Sequence, residues 1–159
     1  MSVDRGNRLE KLREFTHRWL DDPSEDRETA ALVEAAFLMA AADGNFGNAE
    51  QDEFAEALQF LSAGKLTLEQ IDTILDELID ALRTDGWDGR IAAVATQLAS
   101  PEARRNAYRM AAGISFSDGT IQPEEARLFG LLADAFEIPT DEASTILQQV
   151  RDMLYPQDG

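Results

Sequence analysis

The chain contains no cysteine and a single histidine, His17. Disulfide scaffolds, thiolate zinc sites, iron–sulfur clusters and thiol catalysis are therefore excluded. A disulfide-free chain suits a reducing compartment. Basic residues are also scarce, 14 lysines and arginines against 31 acids, for a formal charge of −17. Binding to nucleic-acid phosphates needs a basic face, and there is little here to build one. Beta-branched residues are few and alternating runs are absent, which argues against a sheet. The longest apolar stretch, Ala35 to Ala42, falls far below the ~18 residues that suggest a membrane span. The opening "MSVDRGNRLEKLREF" carries charges where a signal peptide needs an apolar core. The expectation is a cytoplasmic protein with no membrane span, peripheral membrane association remaining open.

What is present is helical patterning over 159 residues, enough for one domain with a real core. Asp4 to Leu20 reads as a first helix with Leu9, Leu12, Phe15 and Trp19 as its contacts. "DDPSEDRE" predicts a second, with Asp22 as N-cap, Pro23 at the first helical position and Glu25 closing a capping box. It runs through "TAALVEAAFLMAAAD" and stops at Gly44. A third starts after Gly47 or Asn48, with Phe54, Leu58 and Leu61 on one face. Thr67 and Gln70 box the start of a fourth, where Leu68, Ile71, Ile74, Leu75, Leu78 and Leu82 repeat at helical spacing. "TDGWDG", Thr84 to Gly89, is the clearest internal break and a candidate joint. A short fifth helix carries Ile91, Val94 and Leu98. Ser100 caps a sixth with Pro101 inside it. "QPEE" opens a seventh with Leu128, Leu132 and Phe136, and Thr140 caps an eighth with Ile146, Leu147, Val150 and Leu154. The predicted fold is an all-α bundle of about eight helices in a single domain, 1–159.

The chain also repeats itself. Asp43-Gly44 overlies Asp118-Gly119, and at the same offset Phe46 overlies Ile121, Glu50 overlies Glu125 and Phe54 overlies Phe129. After a three-residue shift "LTLEQIDTILDELIDAL" (66–82) overlies "IPTDEASTILQQVRDML" (138–154). The organisation is an N-terminal helix (1–27), a first unit (28–82), a connecting segment (83–100) and a second unit (101–155). Charge is uneven across it: residues 28–82 hold only Lys65 against twelve acids. Such a face is commonly just solvated, but it also suits cations or a basic partner.

"AADG…E…F", recurring as "SDGTIQPEEARLF", resembles the TerB-like family, named for a bacterial tellurite-resistance protein, over about residues 28–155. The resemblance implies an all-helical, non-enzymatic domain associated with stress response, acidic metal-binding surfaces and protein assemblies near the membrane. The second copy is the closer match, since "GNA" in the first replaces the usual Ser/Pro-type helix start.

The Asp-Gly turns pose a physical question, because a helix carboxyl end repels a carboxylate. In one answer Asp43 with Glu50, and Asp118 with Glu125, hold a divalent cation such as Ca²⁺ or Mg²⁺. Asp52, Glu53 and Glu124 are additional acidic ligands; all four principal carboxylates converge if the two turns meet, and otherwise each turn forms its own cation site. In the other, Glu50 and Glu125 are capping-box residues, Asp43 and Asp118 accept from free amides of the next helix, and Gly44 and Gly119 are C-caps. Capping is the commoner use of such positions, and the two are compatible. Neither loop is an EF-hand. Counted from Asp43 the sixth and twelfth positions are Asn48 and Phe54, and from Asp118 they are Pro123 and Phe129, where Gly and Glu are needed.

Catalysis has little support, since His17 has no recognisable partner and there is no phosphate-binding Gly-rich loop or nucleophile elbow. Three functions stand: a cation-responsive or protein-interaction module, an acidic scaffold for a basic or helical protein partner without any ion, and a small hydrolase using a carboxylate pair. Trp19 and Trp87 read as core or interface anchors, and Arg104, Arg105 and Arg109 as answers to neighbouring acids.

Overall fold

The computed structural model describes residues 26–42, 46–61, 66–98, 100–117 and 122–155. Among them the chain forms six α-helices and no strand: α1 (Asp26–Ala40), α2 (Asn48–Leu61), α3 (Leu68–Gln97), α4 (Pro101–Ser117), α5 (Pro123–Ala135) and α6 (Thr140–Leu154). The all-α prediction holds, with six helices among the described residues against about eight predicted for the whole chain. The predicted first helix, with His17 and Trp19, and the cap at Asp22–Glu25 lie outside the described residues. The predicted fourth and fifth helices are joined in α3.

That joint is sharp. Within α3 only Gly86 leaves helical geometry, at φ 76 and ψ 173, a region that essentially glycine alone occupies. The predicted break at "TDGWDG" is thus present as a kink at one residue, with Arg83 to Asp85 and Trp87 to Arg90 helical on either side.

Helix α1 is the centre. Ala31, Leu32, Val33, Ala35, Ala36, Phe37, Leu38 and Met39 are all buried, so over this stretch the helix is covered on every side. It packs on α2, α3, α4 and α5, most extensively on α4. Small residues allow that close approach: Ala31, Ala35 and Ala36 on α1 and Ala107, Ala111 and Ala112 on α4 are all buried. Fully burying side chains the size of Phe37 or Leu38 contributes roughly 1.5–3 kcal/mol each. No helix among the described residues is long and apolar enough to cross a membrane.

Several helix ends follow the local sequence. Thr67 and Gln70 form the capping box of α3, with Gln70 N to Thr67 Oγ1 at 3.1 Å and Thr67 N to Gln70 Oε1 at 2.9 Å. Ser100 caps α4 through Ala103 N at 3.0 Å. Thr140 is not the cap of α6. Pro139 holds that position, its carbonyl taking Ala143 N at 2.8 Å, and Thr140 is the first helical residue. Helix α5 ends in a left-handed residue, Glu137 at φ 59. Ile138 N donates back to Ala133 O at 2.9 Å and Glu137 N to Asp134 O at 3.1 Å, the paired bonds of a Schellman end.

The repeat is visible in burial. Phe54 and Phe129 are both buried, and each packs edge-on against an aromatic of the preceding helix: Phe37 at 6.5 Å and Tyr108 at 5.5 Å between ring centroids. The third helices differ by a rotation. Leu75 is buried and Ile74 half-buried in α3, whereas in α6 Ile146 is buried and Leu147 half-buried. The shared "TIL" thus presents a different residue inward in each copy.

Candidate functional site

Asp43, Gly44, Asp118 and Gly119 lie outside the described residues, so the site is built from the helix starts that follow them. In each copy the third residue of the helix is a glutamate. Glu50 follows Gly47, whose carbonyl accepts Gln51 N at 3.0 Å and which therefore stands at the N-cap position. Its carboxylate folds back over that residue: Oε2 lies 3.1 Å from where a β-carbon on Gly47 would stand. Glu125 does the same and completes the bond, its Oε1 accepting Gln122 N at 2.9 Å. The capping reading therefore holds at Glu125, where an acceptor at this depth satisfies one of the helix's free amides.

The other oxygen of Glu125 has a partner the sequence reading did not single out. Ser115 Oγ, on α4, donates to Oε2 at 2.5 Å. Ser115 is itself buried, one of two buried polar or charged side chains identified in the core. Its counterpart at the repeat offset is Ala40, which lacks a hydroxyl. The two copies thus differ chemically at the same place: Glu125 has a hydroxyl donor, and Glu50 faces an alanine position.

Both counterparts line one narrow cavity of about 90 Å³, together with Glu50, Glu53 and Glu125. Phe46, Phe54, Ala57 and Ile114 form its apolar remainder. Phe46 is set there by edge-on contacts with Phe37 at 5.3 Å and Phe54 at 6.0 Å. The fold therefore brings the helix starts of the two units to one cavity. It does not bring every predicted ligand. Glu124 lines a separate cleft of about 240 Å³ with Trp87, Asp88 and Arg127, and Asp52 is exposed on α2. Among the described residues no three acidic or histidine side chains group closely enough to hold a metal ion.

The donor chemistry of the cavity is nonetheless uniform. Three carboxylates and a hydroxyl line it, oxygen donors of the kind that hard cations such as Ca²⁺ or Mg²⁺ take, but they stand too far apart to hold an ion together in this arrangement.

The arginines serve the scaffold. Arg90 binds Glu34 with two bonds, Nε to Oε2 at 2.7 Å and Nη2 to Oε1 at 2.8 Å, and reaches Asp85 at 2.9 Å. Those bonds hold the guanidinium protonated well beyond its ordinary range, against the opposing effect of burial. Arg104 caps the end of α3, donating to Ala95 O at 2.8 Å and Leu98 O at 2.9 Å, and meets Glu137 at 3.2 Å. Arg105 is paired with Glu142 and holds its carboxyl below the usual carboxylate range, chiefly by hydrogen bonding. Arg109 donates to Asn106 Oδ1 at 2.9 Å. The expectation that these arginines answer acids is met at Arg105; at Arg104 most of the contacts are carbonyls.

Comparison with curated proteins gives no match, and neither does comparison with solved structures. The family model described as "Tellurite resistance protein TerB" matches residues 29–148. That span covers most of the chain and runs from α1 into α6, taking in both copies of the helix start with its glutamate. With the all-helical architecture and the repeated unit, it establishes that the chain belongs to the TerB family.

Proposed function

We propose that the protein is a non-catalytic TerB domain of a tellurite-resistance-like stress response in the cytoplasm, and that it responds to a hard divalent cation. The observation that carries this reading is that Glu50, Glu53 and Glu125, from both repeat units, line one cavity.

The chain's own residues supply the rest. Glu125 is held in one orientation from two sides, by Gln122 N and by Ser115 Oγ, and so presents its remaining lone pairs without further loss of side-chain freedom. Glu50 and Glu53 come from the opposite wall, on α2. Drawing Glu50 and Glu53 on α2 closer to Glu125 on α5 costs like-charge repulsion. A cation supplies neutralisation, favouring the closed arrangement. An ion that binds the closed arrangement better shifts the population toward it, which is all a switch requires. Asp43 and Asp118, next to these helix starts in sequence, are the further ligands in this proposal.

Isothermal titration with Ca²⁺, Mg²⁺ and Mn²⁺ tests it. The expected result is saturable binding of one of these ions, weakened about tenfold or more by Glu50→Gln or Glu125→Gln. Asp43→Asn and Asp118→Asn weaken it likewise, while the exposed Glu102→Gln leaves it unchanged. No binding by the parent, or equal binding by all variants, removes the cation from the reading.

A further inference from the structure

Outside the carboxylate cavity, the most developed concave feature is a cleft of about 690 Å³ between the end of α1, the start of α2 and one flank of α3. Its apolar wall is Phe37 and Phe46, already fixed edge-on to each other, with Ile79, Leu82 and Trp87 opposite. Ile79, Leu82 and Trp87 are half-buried, packed on the core but open on one side. From Asp76 to Arg83 the α3 flank runs seven residues, or ~10 Å at 1.5 Å per residue, about two helical turns, and Trp87 stands just beyond the Gly86 kink.

The rim is acidic. Asp76 and Asp80 stand one turn apart on α3 and are exposed. Arg83 is also on the rim, 4.0 Å from Asp80, but both side chains are about four-fifths exposed (79% and 80%), so the contact neutralises little. The surrounding segment, 28–82, contains only one basic residue, Lys65.

We propose that this cleft binds an amphipathic helix of a partner protein, its apolar stripe on Phe46, Ile79 and Trp87 and its lysines or arginines beside Asp76 and Asp80. The groove has the form of helix-in-groove recognition, in which apolar anchors recur every third or fourth residue. Charge selects the occupant. A second copy of this chain brings −17 to a surface that is already acidic, and an anionic membrane surface is repelled for the same reason. A basic helix is steered in and held in register by the two aspartates. The inference does not depend on the cation reading, and its test is run in EDTA so that either can fail alone.

Trp87 is the reporter. With Trp19→Phe it becomes the only tryptophan of the two. The probe is a synthetic eighteen-residue peptide (~27 Å as a helix) with leucines at helical spacing and lysines elsewhere. The expected result is a saturable change in Trp87 emission with affinity that falls steeply with salt. Asp76→Lys with Asp80→Lys weakens binding about tenfold or more, whereas Asp134→Lys with Asp152→Lys, an equal change in net charge, weakens it less than about twofold. The proposal is overturned by equal weakening in both double variants, by equal binding of a leucine/glutamate peptide, or by absence of saturation. Self-association of the unliganded chain that disappears in Trp87→Ala also overturns it, by assigning the cleft to a second copy.

Discussion

Glu34 and Arg90 are fifty-six positions apart and meet in a two-pronged ion pair beneath the surface, with the Glu34 side chain only 4% exposed. Arg90 follows the Gly86 kink, and its third contact, Asp85, precedes it. One guanidinium therefore grips both sides of the kink and anchors them to the central helix α1.

Removing one partner of such a pair strands the other charge. Arg90→Met is expected to cost about 3–5 kcal/mol in urea unfolding, because Glu34 is left buried without its donor. The double variant Glu34→Leu with Arg90→Met is expected to recover more than half of that loss. Equal losses in the single and double variants would show that the arginine acts by packing alone.

Two glycines with open space around them separate backbone from contacts. A β-carbon at Gly86 or at Gly130 meets nothing within 4 Å. Gly86→Ala is nevertheless expected to cost about 1–3 kcal/mol, since its φ of 76 and ψ of 173 suit essentially glycine alone. Gly130→Ala, inside α5, is expected to gain about 0.4–1 kcal/mol. Thermal melts of the two variants should move in opposite directions, and a shared direction would contradict the kink geometry.

The burial of Tyr108 sets an alkaline limit. Desolvation pushes its phenol up to about 12, while its hydroxyl donates to Phe129 O at 3.2 Å. The folded value lies above the unfolded one of about 10. Its contribution is therefore complete below pH ~10 and is lost as pH rises toward 12. Stability measured across that window should fall in the parent, and fall less steeply in Tyr108→Phe. Identical slopes would count against a buried, neutral phenol.

The parts of this fold legible in sequence are those settled within a few residues. Thr67 with Gln70, Ser100 with Ala103, and Gln122 with Glu125 are cap spacings, and each forms as read. The break read at "TDGWDG" is present at Gly86, where a single glycine with positive φ turns the chain between two helical stretches. Thr140 looks like a cap, but Pro139 already supplies the extended backbone the position needs.

The relationships that sequence reading missed link distant positions. Glu34 meets Arg90 only because α1 lies against the second half of α3. Ser115 meets Glu125 only because α4 and α5 fold back after the second turn. A lone glutamate, Glu34, inside the apolar run from Ala30 to Ala42 was the available signal for the first. The repeat offset, which sets Ser115 opposite Ala40, was the signal for the second.

The central claim is that the glutamates at the two helix starts act together on one cation. Titrating Ca²⁺ or Mg²⁺ into the parent, Glu50→Gln, Glu125→Gln and the double variant measures this directly. The account predicts one saturable site in the parent, with each single variant losing most of the affinity and the double losing little more, since both residues serve the same ion. Two independent sites, each abolished by its own variant and indifferent to the other, would contradict it, as would full binding in the double variant.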